Sequence, residues 1–245
     1  IFMKLACNNI TVDFSGLRAL DKVSLSVETN EILGLIGPNG SGKTTLLNVL
    51  GGQLKSNEGS VTKDNTDITT LPPRLRVKNG LARSFQIVRT FDSLSVFENV
   101  KSASLITSKN NLEKNNYCNE IINYIGLNKI KNELANTLNF GDRRRLEIAR
   151  AMATNPDFLL LDEPAAGMND NESEILLNTL NVIPEKFKVG ILIIDHDMSL
   201  IMKLCHRLHV LESGKTIAEG SIESVKKHPE VIKAYLGKDF WLWIF

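Results

Sequence analysis

Three short segments carry residue types that could do phosphate chemistry. Gly37-Pro38-Asn39-Gly40-Ser41-Gly42-Lys43-Thr44 fits the pattern G-x-x-x-x-G-K-[ST] in full, and Thr45 extends it. Its glycines let the backbone curl so that N–H groups converge on the β- and γ-phosphates of a nucleotide, with the positive end of a following helix behind them. Lys43 brings a point charge to the same oxygens, and the Thr44 hydroxyl is a ligand for Mg2+. Phe158-Leu159-Leu160-Leu161-Asp162-Glu163 places two adjacent carboxylates at the tip of an apolar run. Successive strand residues point to opposite faces, so the two acids can hold different posts. Asp162 would hold Mg2+, directly or through water; Glu163 would orient and deprotonate the attacking water. A helix cap is the bland alternative for such a pair, and the phosphate loop upstream tips the reading to catalysis. Asp195-His196-Asp197 closes a third run, Ile191 to Ile194, where a histidine at the carboxyl edge of the same sheet can reach a γ-phosphate.

These segments need strands and helices to aim them. Ile32 to Ile36, Phe158 to Leu161 and Ile191 to Ile194 are continuous apolar runs, the pattern of parallel strands buried on both faces. Leu46, Leu47 and Leu50 have helical spacing and Gly51-Gly52 ends them. Leu20, Val23, Leu25 and Val27 predict a half-buried strand or hairpin before the phosphate loop, and Gly59 to Thr62 another short strand. From about residue 87 to 155 the character turns helical, with Asn110 to Asn119 read as an exposed loop or helix start, Ile121, Ile122 and Ile125 as an apolar face, and Arg143 to Ala153 as a strong helix. Further on come a helix over Glu172 to Val182, a hairpin turning at Ser213-Gly214, and a last helix from Ile222 to Tyr235 interrupted at Pro229. The expected fold is α/β: one nucleotide-binding domain over residues 1–237, with a helical subdomain inserted at about 87–155. An apolar tail of open role follows over residues 238–245, with self-packing, a partner contact and a non-native extension as its three readings.

Composition narrows the partners. A net charge of +1 is no electrostatic footprint for nucleic acid, and Arg143-Arg144-Arg145 reads as one solvated turn of a helix. Cys7, Cys118 and Cys205 have the spacing of neither a disulfide framework nor a zinc site, which predicts buried free thiols in a reducing compartment. No apolar stretch reaches the ~20 residues that span a bilayer, so membrane association is expected through partners.

Taken in order, the three segments resemble the ATP-binding subunits of ABC transporters over about residues 4 to 237. The resemblance implies a P-loop NTPase core with a RecA-like, mainly parallel sheet, an antiparallel β subdomain and the inserted helical one. It puts Phe14 on the adenine ring, and Gln86 on Mg2+ and the water, at the link to the helical subdomain. Leu138-Asn139-Phe140-Gly141-Asp142 takes the place of the LSGGQ signature, Ala166-Gly167-Met168-Asn169 that of the D-loop, and His196 that of the switch histidine. Asn139, Phe140 and Asp142 depart from the signature consensus; the Asn139 amide can still donate to phosphate, while Gly141 is retained where the backbone must come close. ATP and Mg2+ are the implied cofactors. The implied partners are transmembrane permease subunits and a second ATP-binding subunit, self or paralogue, in a head-to-tail dimer on the cytoplasmic face of the inner or plasma membrane. A groove near Phe91 and Phe97 would face the permease, with core packing as the plain alternative for both rings. Phe14-Ser15-Gly16-Leu17-Arg18, Ala82-Arg83-Ser84-Phe85-Gln86 and Ala165-Ala166-Gly167-Met168-Asn169 resemble most the branched-chain amino acid importers. The subunit of lipopolysaccharide export is a near relative.

Overall fold

Alternating buried residues build the first hairpin. β1 (Lys4–Phe14) pairs antiparallel with β2 (Leu17–Glu28), Leu5 facing Val27 and Cys7 facing Leu25. The computed structural model describes residues 2–84 and 90–235. β3 (Ile32–Ile36) is buried at all five positions and delivers the chain into the phosphate loop, after which α1 (Lys43–Gly51) runs until Gly52 closes it at φ 78°. β4 (Glu58–Lys63) adds to β1, and the short β5 (Thr66–Asp67) to β4. α2 (Pro73–Lys78) and β6 (Leu81–Arg83) follow. Three helices come next: α3 (Val96–Ser104), α4 (Asn111–Tyr124) and α5 (Phe140–Ala153). β7 (Phe158–Asp162), α6 (Asp170–Phe187), β8 (Gly190–Ile194) and α7 (Met198–Leu204) resume the alternation of strand and helix. β9 (Arg207–Glu212), β10 (Lys215–Ser221), α8 (Ile222–Lys226) and α9 (Pro229–Tyr235) complete it.

Two sheets result, as the α/β reading requires. One is antiparallel, in the order β2-β1-β4-β5; the other has the order β10-β9-β3-β8-β7-β6, parallel except for β10 at its edge. The apolar runs serve both faces of the second sheet. Leu33, Leu35, Leu160 and Leu192 point into a core shared with α1 and the antiparallel sheet. Ile32, Ile36, Leu159, Leu161, Ile191 and Ile193 point into a core shared with α5, α6 and α7. α1 is therefore clamped between two sheets, with Leu46, Leu47, Val49 and Leu50 all buried, and its N-terminus is a fixed platform.

The three cysteines are buried and free. The hairpin turn at Ser213 and Gly214 has positive φ at both residues, the two-residue turn that matches strand twist. Of the two readings of Asn110 to Asn119 the structure has the helix start: Asn110 and Glu113 form a capping box and α4 begins at Asn111. Two expectations change. α6 outruns its expected end at Val182 and passes through Pro184, since Ile183 and Pro184 are buried on its apolar face and packing outweighs the lost N–H bond. The arginine run is no solvated turn: Arg144 is 2% exposed, Arg145 pairs with Asp142, and Arg143 donates to the Leu138 and Asn136 carbonyls. Each guanidinium closes a specific contact of α5.

Candidate active site

The phosphate loop has the geometry its glycines permit. A Cβ at Gly37 would stand 2.0 Å from the Leu211 carbonyl oxygen, and one at Gly42 would stand 2.8 Å from that of Ala19; both residues have positive φ. The Ser213-Gly214 turn holds the loop in place, the Gly214 N–H donating to Ser41 O at 3.0 Å. Lys43 Nζ folds back onto the carbonyls of Gly37 (2.7 Å) and Pro38 (3.0 Å). Its burial lowers the lysine pKa, while the charges of Glu163 and Asp162 act the other way. The Ser41 hydroxyl is buried with no hydrogen-bond partner among the described residues. Gly40 to Thr45 line a cleft of ≈ 500 Å³ together with Phe14, whose ring is 45% exposed at the mouth. Pro38 and Asn39 complete the loop between the glycines, with Asn39 exposed.

The two carboxylates part company at the tip of β7. Asp162 ends the strand, 4% exposed, and its Oδ2 accepts from Arg83 Nη2 at 2.8 Å. Glu163 leaves the strand in a left-handed conformation, φ 49°, a sparsely populated region for a residue with a Cβ. Three of its contacts to described residues help hold it there. Its N–H donates to Ile194 O at 2.8 Å, its carbonyl accepts from Arg144 Nη2 at 3.1 Å, and its Oε1 lies 2.8 Å from His196 Nε2. Glu163 and His196, marked separately in the sequence for the attacking water and the γ-phosphate, are in direct contact. Next to them the buried Asp195 carboxylate accepts from Ala165 N–H (3.0 Å) and Asp197 N–H (2.9 Å); desolvation still pushes its pKa above the usual carboxylate range.

Asn139 and Gly141 are not part of this cleft. They line a separate hollow of ≈ 240 Å³ with Asn169 and Glu172. Asn139 is the N-cap of α5: its Oδ1 accepts from Asp142 N–H at 2.8 Å, which leaves the side-chain NH2 to point elsewhere. Phe140 is 45% exposed and lies against Gly167. Phe91 lies half-exposed with the Arg150 guanidinium 4.6 Å from its ring centre, and Phe97 packs into the helical core. Gln86 lies outside the described residues, as does the apolar tail. Sequence reasoning passed over Arg83, Arg144 and Asp195, which hold the acidic residues or their loops in place. Each stands within a segment already marked, but nothing in residue type alone distinguishes a buried arginine from a solvated one.

Fold and site together define a P-loop nucleotide-binding cassette. A sequence profile for the family described as ABC transporter matches residues 20–166, and one described as Branched-chain amino acid ATP-binding cassette transporter matches residues 215–240. The high-affinity branched-chain amino acid transport ATP-binding protein LivG of Salmonella typhimurium is 38% identical, over 96% of this chain and 98% of its own. The lipopolysaccharide export system ATP-binding protein LptB of Haemophilus influenzae is 34% identical, over 97% and 99%. Among solved structures, the ADP conformation of MJ1267, an ATP-binding cassette of an ABC transporter, superposes with a TM-score of 0.86 at 31% identity, covering 96% of this chain and 99% of that one. The dimeric bacterial ABC transporter cassette MJ0796 gives 0.75 at 26%, covering 89% and 98%. The chain therefore belongs to the ABC transporter family, as a nucleotide-binding subunit that hydrolyses ATP to drive transport. No helix among the described residues is long and apolar enough to cross a membrane.

Proposed function

We propose that this chain powers an importer of branched-chain amino acids from the cytoplasmic face of the inner or plasma membrane, held there by transmembrane permease subunits. The likeness to LivG and the profile match over residues 215–240 support that substrate class. ATP would lie in the cleft above Gly37 to Thr45, with its base on Phe14 and its phosphates under Lys43 and the loop N–H groups. Lys43 then exchanges the Gly37 and Pro38 carbonyls for phosphate oxygens, a charge-assisted gain that offsets its desolvation. Ser41, buried with its hydroxyl unpartnered, has a donor to give to the same anion.

The donors also suit Mg2+. Thr44 and Asp162 offer hard oxygens, with Gln86 as a third by resemblance, and so few protein ligands fit a cation that keeps waters and phosphate oxygens around it. When bound, Mg2+ neutralises charge on the transferring phosphoryl group. The residues do the rest. Glu163 takes the proton of the attacking water, and His196 holds that carboxylate, at 2.8 Å, in a fixed place toward the γ-phosphate. The helical segment from about 87 to 155 would pass the resulting motion to the permease. Asn139 and Gly141 would meet the ATP of a second ATP-binding subunit, self or paralogue, in a head-to-tail dimer.

The Glu163–His196 contact carries the catalytic reading. Glu163→Gln should bind ATP as the parent does and hydrolyse it at least ~100-fold more slowly, the usual worth of a general base. Single-turnover hydrolysis checks this, and a parental rate would remove Glu163 from its role. For the substrate class, the permease that co-purifies with the chain should support leucine uptake that stops with Glu163→Gln.

A further inference from the structure

Arg83 stands at the end of β6 and is not among the residues assigned to nucleotide or metal. Its guanidinium is nonetheless bonded to two of the elements that carry proposed Mg2+ ligands. Nη2 donates to Asp162 Oδ2 on β7 at 2.8 Å, with both side chains under 10% exposed. Nη1 donates to Asn48 Oδ1 on α1 at 2.7 Å and to Gln53 Oε1 just beyond that helix at 3.1 Å. α1 is the helix whose first turn holds Thr44, and Arg83 itself precedes Gln86 by three residues. We propose that Arg83 is the positioning residue of the metal site: one planar fork that fixes the Asp162 carboxylate and sets its distance from the Thr44 helix. The proposal rests on the reading of Asp162 as a metal ligand.

The chemistry favours this over a bond that merely stabilises the fold. A carboxylate at a strand tip can swing about its χ angles, and one oxygen pinned by a guanidinium leaves the other with a fixed direction. Metal-binding carboxylates are oriented by such outer partners, and losing one costs roughly 10–100-fold in metal affinity or activity. Arginine suits the post because its planar fork reaches two acceptors on different elements at once. A lysine could hold Asp162 but would not span to Asn48 with the same rigidity.

ATP binding, measured by calorimetry with excess EDTA and again across a Mg2+ series, tests the assignment on Arg83→Ala, Arg83→Lys and Asp162→Asn. The expected result for Arg83→Ala is unchanged affinity for metal-free ATP and a rise of roughly 10–100-fold in the Mg2+ concentration that gives half of the metal-dependent tightening. Arg83→Lys should recover part of that loss. Equal loss of metal-free and Mg2+-dependent binding would make Arg83 a structural residue only, and a lower Mg2+ requirement would make it a competitor of the cation; either overturns the proposal. Asp162→Asn separates the layers: if it leaves the Mg2+ dependence unchanged, the metal role of Asp162 itself fails. If it abolishes that dependence while Arg83→Ala does not alter it, only the role of Arg83 falls. Should Arg83→Ala fail to fold, the acceptor variant Asn48→Ala and the donor variant Arg83→Lys decide instead: a raised Mg2+ requirement in either supports the proposal, and a parental requirement in both overturns it.

Discussion

At the phosphate loop, Lys43 sits where desolvation disfavours its charge, and two backbone carbonyls together with the Asp162 and Glu163 carboxylates keep that charge in place. Its pKa in the folded chain is therefore below that of an ordinary lysine. The unfolded chain holds more protons across the window between the two values, so this group adds stability as pH rises through that window. ATP acts in the opposite sense, because phosphate oxygens favour the charged ammonium. Binding should take up a proton on the alkaline side, and ATP affinity should fall as pH rises through the depressed value. Calorimetric titrations in two buffers of different ionisation enthalpy measure that proton. Lys43→Arg keeps its charge at every accessible pH, so its weaker binding should show no proton uptake from this position.

α1 depends on both of its ends. Beyond its C-terminus the Arg76 guanidinium, 1% exposed, donates to the carbonyls of Val49, Leu50, Thr69 and Leu71. Two of those carbonyls belong to the last turn of α1, where a cation meets the negative end of the helix dipole. Arg76→Met would leave several buried carbonyls without donors at about 1–3 kcal/mol each, which predicts a loss of roughly 3 kcal/mol or more in urea unfolding. Arg76→Lys, with three donors in another geometry, should recover only part. No pattern in the sequence distinguishes this arginine from Arg74, which is exposed. Elements whose burial follows from a local run were legible: β3, β7 and β8 from continuous apolar residues, α1 from the phosphate loop and Gly52. The length of α6 was not, because its last turn is decided by what Ile183 and Pro184 pack against. The same holds for the site. Asp162, Glu163 and His196 could be marked by type and spacing, whereas the bonds that fix this segment, Arg83 to Asp162, Arg144 to the Glu163 carbonyl and Ala165 N–H to Asp195, join residues far apart in the chain.

Across the whole molecule, the phosphate cleft and the hollow beside Asn139 and Gly141 share no lining residue. On the proposed head-to-tail reading, a nucleotide in the cleft of one chain would meet the Asn139–Gly141 surface of another chain, and that reading makes a sharp prediction. Gly141→Asp would put a carboxylate on the second surface, where the proposed dimer brings the partner's phosphates, and none in the first. Its Cβ would meet the Glu172 side chain, Oε1 at 2.9 Å and Cγ at 3.1 Å, and Glu172 also caps α6 through Asn169 N–H, so that side chain must shift and urea unfolding of the variant is compared with the parent first. ATP should bind this variant as it binds the parent, whereas Lys43→Ala should lose nucleotide binding itself. In the Glu163→Gln background, where slow hydrolysis lets ATP-bound species persist, sedimentation should show ATP-dependent association with whichever second ATP-binding subunit completes the pair. Adding Gly141→Asp should abolish that association. If ATP still drew the subunits together, the Gly141 surface would lie outside the shared site. If instead Gly141→Asp weakened ATP binding in the isolated chain, the two hollows would be coupled within one subunit, and the head-to-tail assembly would no longer be needed to explain turnover.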